Sequence, residues 1–424
     1  MPPAEPAAHA PRGVPLWRNA DYMLLWSGQV VSTLGSTAST IIYPLLILAL
    51  TGSPRDAGVA GALRALPYLV LSLPVGALVD RWDRKRVMIL CDVGRAIAVA
   101  SIPAAMAFDA LTLAQVYAVS LLEGSLYVFF NIAEVAALPR VVPAAQLPEA
   151  AAQNEAGFGA ANIVGPSFGA FLYQAFGRGV PFLVDAITYA VSVLSLLRIR
   201  TSFASAATRR GERASAHRDL RAEVAEGLAW LWGNPLIRFM ALITGGINLV
   251  AAASPLVLIV LAKELGAHDA EIGVIFSVAG VGGILGSLVG GQVQRRFAFG
   301  TVIVALMWGE ALLFPLYAAA PSWPLLGAIG ALTFFLSPIY NVVQFSYRLA
   351  LIPDRLQGRV NSTFRLVCFG LMPVGAALSG VLLERFGTGA TIAVFSAWLA
   401  ALAVLTTLNR HVRNAPPLAK AMRA

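Results

Sequence analysis

Long apolar blocks, separated by short polar runs, fill the chain from residue 21 to residue 408. Each block is long enough to cross a bilayer as a helix, which takes roughly 20 apolar residues. Twelve spans are predicted: 21–50, 57–79, 87–108, 113–138, 150–176 and 181–199, then 235–262, 270–292, 301–319, 323–350, 359–383 and 388–408. The sharpest break in the pattern is Gly76-Ala-Leu-Val-Asp80-Arg81-Trp-Asp83-Arg84-Lys85-Arg86, a densely charged turn between spans 2 and 3. Asp80 stands out in it. An acid at a helix carboxyl end meets an already negative macrodipole, so it needs a cation or the amino end of another helix as its partner. It reads as half of a latch.

Composition agrees with the pattern. The chain is 58% hydrophobic and only 12% charged, with mean hydropathy +0.73, too few charges to cover a soluble protein of 424 residues. The predicted class is therefore an all-α polytopic membrane protein. The net charge of +9 reports topology rather than nucleic acid. Of 31 basic residues, four fall in outer loops (Arg55, Arg178, Lys263, Arg385) and three inside spans (Arg64, Arg95, Arg365). The rest sit at inner loops and tails, which places both termini and the 200–234 segment in the cytoplasm and in contact with anionic lipid. Cys91 and Cys368 fall inside spans and are expected to be reduced packing thiols.

The two halves look like copies. Trp17-Arg-Asn19 recurs as Trp232-Gly-Asn234, Gly76 with Arg81 as Gly290 with Arg295, and Val142-Pro143 and Phe176-Gly177 as Ile352-Pro353 and Phe386-Gly387. The predicted organisation is a tail (1–16), a six-helix half (17–200), a cytoplasmic linker (201–233), a second six-helix half (234–410) and a tail (411–424). The linker stretch from Asp219 to Trp232 has an amphipathic pattern that suits either the inner membrane surface or a protein face.

The charged turn, Gly76-x-Leu78-x-Asp80-Arg81-x-x-Arg84-Lys85-Arg86, resembles the signature between helices 2 and 3 of the major facilitator superfamily of secondary transporters, with Asp83 where that signature has a glycine. The resemblance covers the chain from about residue 17 to 410 and implies twelve helices in two six-helix pseudo-symmetric bundles, a substrate site between them, alternating access, and a monomer. It also implies that Asp80 meets the start of the span opening with Arg359 when the cytoplasmic side closes, and that Arg84 meets Glu134 on helix 4. Gly165-Pro166-x-x-Gly169 resembles the helix-5 signature of the family's proton-driven exporters, with Ala170 at the pattern's final glycine. Leu138-Pro-Arg-Val-Val-Pro143 and Ala62-Leu-Arg64-Ala-Leu-Pro67 resemble the subgroup that holds the enterobactin exporter and macrolide efflux proteins.

Ionisable groups inside spans cost about 2.5–3.5 kcal/mol each near a helix centre, so each needs a reason. Glu123 in span 4 and Glu310 in span 9 lie near mid-depth. Helix 4 lines the cavity in the family and helix 9 does not, so Glu123 is expected to carry a coupling proton and Glu310 to be a structural partner. Arg64 either snorkels outward or faces the cavity. Asp92 and Arg95 are expected to pair locally, and Asp185 to be solvated near the outer end of span 6. Asn131, Asn162, Asn248, Asn341 and Gln344 are candidates for substrate contact or for tying helices together. No nucleotide-binding loop is present, and all four histidines lie outside the spans, so neither an ATP-driven pump nor a metal or histidine enzyme has residues to use. The predicted function is proton-coupled efflux of a small amphipathic molecule (drug, siderophore or secondary metabolite) across a bacterial inner membrane, without a cofactor. A lipid or lysolipid transporter and a solute importer are the alternatives.

Overall fold

The computed structural model describes residues 15–79, 81–203, 220–353 and 356–415. Asp80, residues 204–219 of the linker and most of both predicted tails lie outside the described residues. The apolar blocks form helices. In the first half these are α1 (Ala20–Thr40), α2 (Ile42–Thr51), α3 (Pro54–Val79), α4 (Arg84–Ala107), α5 (Leu113–Val141), α6 (Leu147–Phe176) and α7 (Val180–Arg198). The linker contributes α8 (Leu220–Gly233). The second half holds α9 (Pro235–Glu264), α10 (Asp269–Arg296), α11 (Phe299–Leu313), α12 (Trp323–Leu351), α13 (Gln357–Gly370) and α14 (Met372–Leu408).

Nine helical stretches among the described residues are long and apolar enough to cross a membrane. The last, Arg359–Leu408, holds 50 residues and would run roughly 75 Å as one straight helix, more than twice the hydrocarbon thickness. It is two spans folded back at Gly387, whose φ of 75° suits a residue without Cβ. α3 and α6 supply the remaining two. Their apolar character is diluted by the internal Pro67 and Pro74 of α3 and by Pro166 and a run of small residues in α6. Span 1 is broken between α1 and α2, where Pro44 has no N–H to return to the Thr40 carbonyl.

The repeated landmarks have physical roles. Asn19 accepts from the Tyr22 N–H and Asn234 from the Ile237 N–H, so both copies cap the first helix of a half. Val142 and Ile352 are extended residues that end α5 and α12, as residues before proline tend to be. Gly177 and Gly387 both take positive φ. Asp83, standing where the family signature has glycine, caps α4 by accepting from the N–H groups of Lys85 and Arg86.

The halves meet along two seams near the face that carries the Gly52, Gly177, Gly266 and Gly387 turns. In one seam α3 meets α14. A Cβ on Gly58 would lie 2.7 Å from the Ala376 carbonyl oxygen, and Ser53 and the Arg55 N–H both donate to Glu384. In the other, α6 meets α10: Ser167 donates to the Gly273 carbonyl and Ser277 to the Ile163 carbonyl. Small residues at such seams let helices approach closely enough for dispersion to hold them in lipid. The opposite, basic face carries the Arg81–Arg86 turn and α8.

α8 packs on protein, which decides between the two surfaces its pattern suits. Gly227 sits against the Arg359 carbonyl and Thr363 of α13, Leu231 is fully buried, and Trp230 covers Ile352, Leu356 and Val360.

Candidate functional site

A cavity of about 460 Å³ lies at the joint between the halves, with Tyr43, Arg64, Tyr68, Glu123 and Tyr127 on one side and Pro255, Arg365, Phe369 and Met372 on the other. A second cavity, of about 600 Å³, lies within the first half toward the basic face. The two share Thr40, Arg64, Arg95 and Tyr127. Val135 and Phe158 in the second cavity are 63% and 52% exposed, so its wall is open.

Local sequence places the charges. Gly124 lets α5 press against α3: a Cβ there would lie 2.1 Å from the Arg64 carbonyl oxygen. That contact sets Glu123, 1% exposed, beside Arg64, whose Nη2 donates to Oε1 at 2.7 Å. Tyr43, on the first turn after the span-1 break, donates to Oε2 of Glu123 at 2.9 Å, and Tyr189 of α7 donates to Oε1 at 3.3 Å. Arg64 also donates to Thr40 at the end of α1. Glu123 therefore gathers bonds from α2, α3 and α7 while standing in the cavity wall.

The network continues through Arg95, which lines both cavities. Arg95, nearly buried, donates to Tyr189 and lies with its guanidinium carbon 4.1 Å from that ring's centre. Its ion pair with Asp92, which is fully buried, measures 3.5 Å. Ser36 bonds Tyr189 at 2.8 Å, and Ser39 donates to Asp185. Asp185 is fully buried, not solvated as its place near a span end suggests, because α1 covers it with two serines and the close approach of Gly35.

The other predicted residues separate. Asn131 and Glu134 line the second cavity. Arg84 reaches α5 as expected, where it donates to the Ala136 carbonyl, and Glu134 lines the second cavity with no ion pair among the described residues. Gly165 and Gly169 pack against Thr37 and the Ala38 carbonyl of α1. Pro166 lies at the α10 seam, where Gly273 makes room for Ala170. Asn248 donates to the Cys368 carbonyl and ties α9 to α13. Asn162 donates within its own helix. Asn341 is exposed and Gln344 buried, both on α12 and neither lining the two cavities. Glu310 is half-buried on α11, away from both cavities and with no hydrogen-bond or ion-pair partner among the described residues, so the structural partnership expected of it is absent there. Gly76 has open space around it, Arg81 is exposed, and Arg359 pairs with Glu226 of α8. Arg64 faces the cavity rather than snorkelling.

Sequence reasoning passed over Tyr43, Tyr189 and Arg365. An intramembrane tyrosine is unremarked by pattern alone; Arg365, a cation inside a span, carried the same signal as Arg64.

Residues 25–260 match the family model of the Major Facilitator Superfamily, more than half of the chain. The chain belongs to that superfamily. It is similar to the multidrug efflux pump Tap of Mycolicibacterium fortuitum, 27% identical over 92% of this chain and 96% of that protein. It is also similar to macrolide efflux protein A of Streptococcus pyogenes, 24% identical over 93% and 96% of the two chains. Among solved structures, the nucleoside transporter NupG superposes with a TM-score of 0.72 at 14% identity, covering 91% of this chain and 98% of that one; it shares the fold.

Proposed function

We propose that the chain exports a small amphipathic molecule from the cytosol by alternating access, in exchange for protons carried on Glu123. Both efflux relatives align along nearly their whole length, which supports export of a small molecule by a bacterial inner-membrane transporter rather than an enzymatic reaction. Proton coupling rests on one observation: Glu123 is almost fully buried yet stands in the wall of the cavity between the halves. With the basic face cytoplasmic, the closed seams lie outside and the open cavity faces the cytosol. In this state an ionised Glu123 is balanced by Arg64, and substrate enters from the basic side. In the opposite state a proton taken from outside neutralises Glu123, weakens its hold on Arg64 and so separates α3 from α5 electrostatically. Return to the inward state delivers the proton to the cytosol. The two six-helix halves move about the cavity; Asp80 and the α13 start at Arg359 form the latch that closes the basic face.

The lipid-transport alternative needs a lateral entrance. An apolar groove of about 560 Å³ does face outward between α3 and α14, but the Gly58–Gly380 seam separates it from the cavity. In proteoliposomes, Glu123→Gln should lose uphill accumulation driven by a proton gradient while keeping substrate binding and downhill exchange. Glu310→Gln should keep coupling. Full uphill export by Glu123→Gln removes Glu123 from the mechanism.

A further inference from the structure

We infer that the transported molecule is an organic anion with a flat apolar body, and that Arg365 is the residue that selects its charge. The inference rests on the joint cavity being the transport site. Arg365 comes from the second half and projects into that cavity. Its guanidinium carbon lies 5.9 Å from the ring centres of both Tyr68 and Phe369, and those two rings, one from each half, meet edge to face at 5.4 Å.

The acids nearby are committed elsewhere or lie apart. Glu123 is held by Arg64 at 2.7 Å, and Asp92 lies behind Arg95. Glu134 is in the second cavity, on the first half. No carboxylate pairs with Arg365 among the described residues. Of the three arginines lining the joint cavity, Arg64 is paired with Glu123 and Arg95 with Asp92, with Asp185 buried behind them, which leaves Arg365 without a carboxylate partner among the described residues. Arg365 is exposed at the cavity, and a guanidinium within a span held by no described carboxylate is a place where an anion can bind. Its planar donor fork matches a carboxylate with two parallel hydrogen bonds. Tyr68 and Phe369 beside it, with Tyr127 and Met372, offer an apolar and aromatic surface for the rest of the molecule, in a volume suited to a drug-sized ligand. A cationic ligand would instead meet Arg365 in a cavity whose lining carboxylate, Glu123, is already paired with Arg64.

The test is binding to the purified full chain in detergent, separate from transport. Three probes share one body: pyrenebutyrate, its methyl ester and pyrenebutylamine. Ligand-dependent rise in Tm should show the carboxylate binding about tenfold or more tighter than the ester, the scale of a charged hydrogen bond, with the amine weakest. Arg365→Gln should erase the preference with the ligand-free Tm little changed, and Arg365→Lys should keep part of it. Tighter or equal binding of ester or amine, a preference that survives Arg365→Gln, or binding of none of the three overturns the inference. None of these outcomes bears on export itself, which falls only with the uphill transport assay.

Discussion

Gly124 shows how one missing side chain sets the chemistry of its neighbour. Its Cα faces the backbone of α3, and a Cβ there would lie 2.1 Å from the Arg64 carbonyl oxygen. Gly124→Ala must push α5 and α3 apart, an overpacking cost of about 1–3 kcal/mol, and it lengthens the Arg64–Glu123 pair. The expected result is a lower Tm and loss of uphill export together. Gly159→Ala, whose Cβ meets nothing within 4 Å, should change neither. At this scale the sequence announces costs but not partners. Glu123 was legible because a mid-span carboxylate needs a reason. What surrounds it was not, because Tyr43 and Tyr189 come from helices distant in sequence. Asp185 was misjudged for the same reason: distance along its own helix says nothing of the serines that α1 lays over it.

At the scale of elements, the apolar blocks and proline landmarks made the spans legible, whereas the docking of α8 was not. An amphipathic face fits lipid or protein equally well, and only the close fit of Gly227 on α13 decides. That docking has a mechanical consequence. Glu226 of α8 pairs with Arg359, the residue at the start of the span that the family resemblance assigns to the latch. On the proposed cycle, the linker holds the latch region while the basic face is open. Both side chains are partly exposed, 40% and 33%, so the pair contributes no more than about 1 kcal/mol, enough for roughly a fivefold change in population. Glu226→Gln should move the equilibrium toward closure of the basic face. Spin labels at Val135 and Phe345, both exposed and on opposite halves, should report a larger short-distance fraction by pulsed electron resonance. An unchanged distribution would show that α8 is only a tether.

The repeat made the two-half plan of the whole molecule readable from caps and turns, but one sequence must serve both ends of the transport cycle, so the conformation was not readable. Two glycines on α3 separate the ends. Gly58 is enclosed: a Cβ would lie 2.7 Å from the Ala376 carbonyl oxygen and 2.9 Å from the Gly380 Cα, both backbone atoms that cannot yield without parting the seam. Gly76, near the basic end of the same helix, has nothing within 4 Å of its Cβ position. A requirement for glycine there must arise in the state where the basic face is shut. Gly58→Val should therefore open the seam beside the Gly52 turn and favour the outward state. Gly76→Val should fold normally and stay inward. Ala252→Cys, in the joint cavity, reads the difference with a membrane-impermeant maleimide added to intact cells, since Cys91 and Cys368 are buried. Labelling should be fast with Gly58→Val, slow in the parent and slowest with Gly76→Val. A disulfide between cysteines placed at 80 and 359 should form readily in the Gly58→Val background and poorly in the Gly76→Val background. If the labelling order is reversed, the basic face is external and the orientation argued from the arginines is wrong. If both variants label like the parent, neither glycine governs the exchange between states.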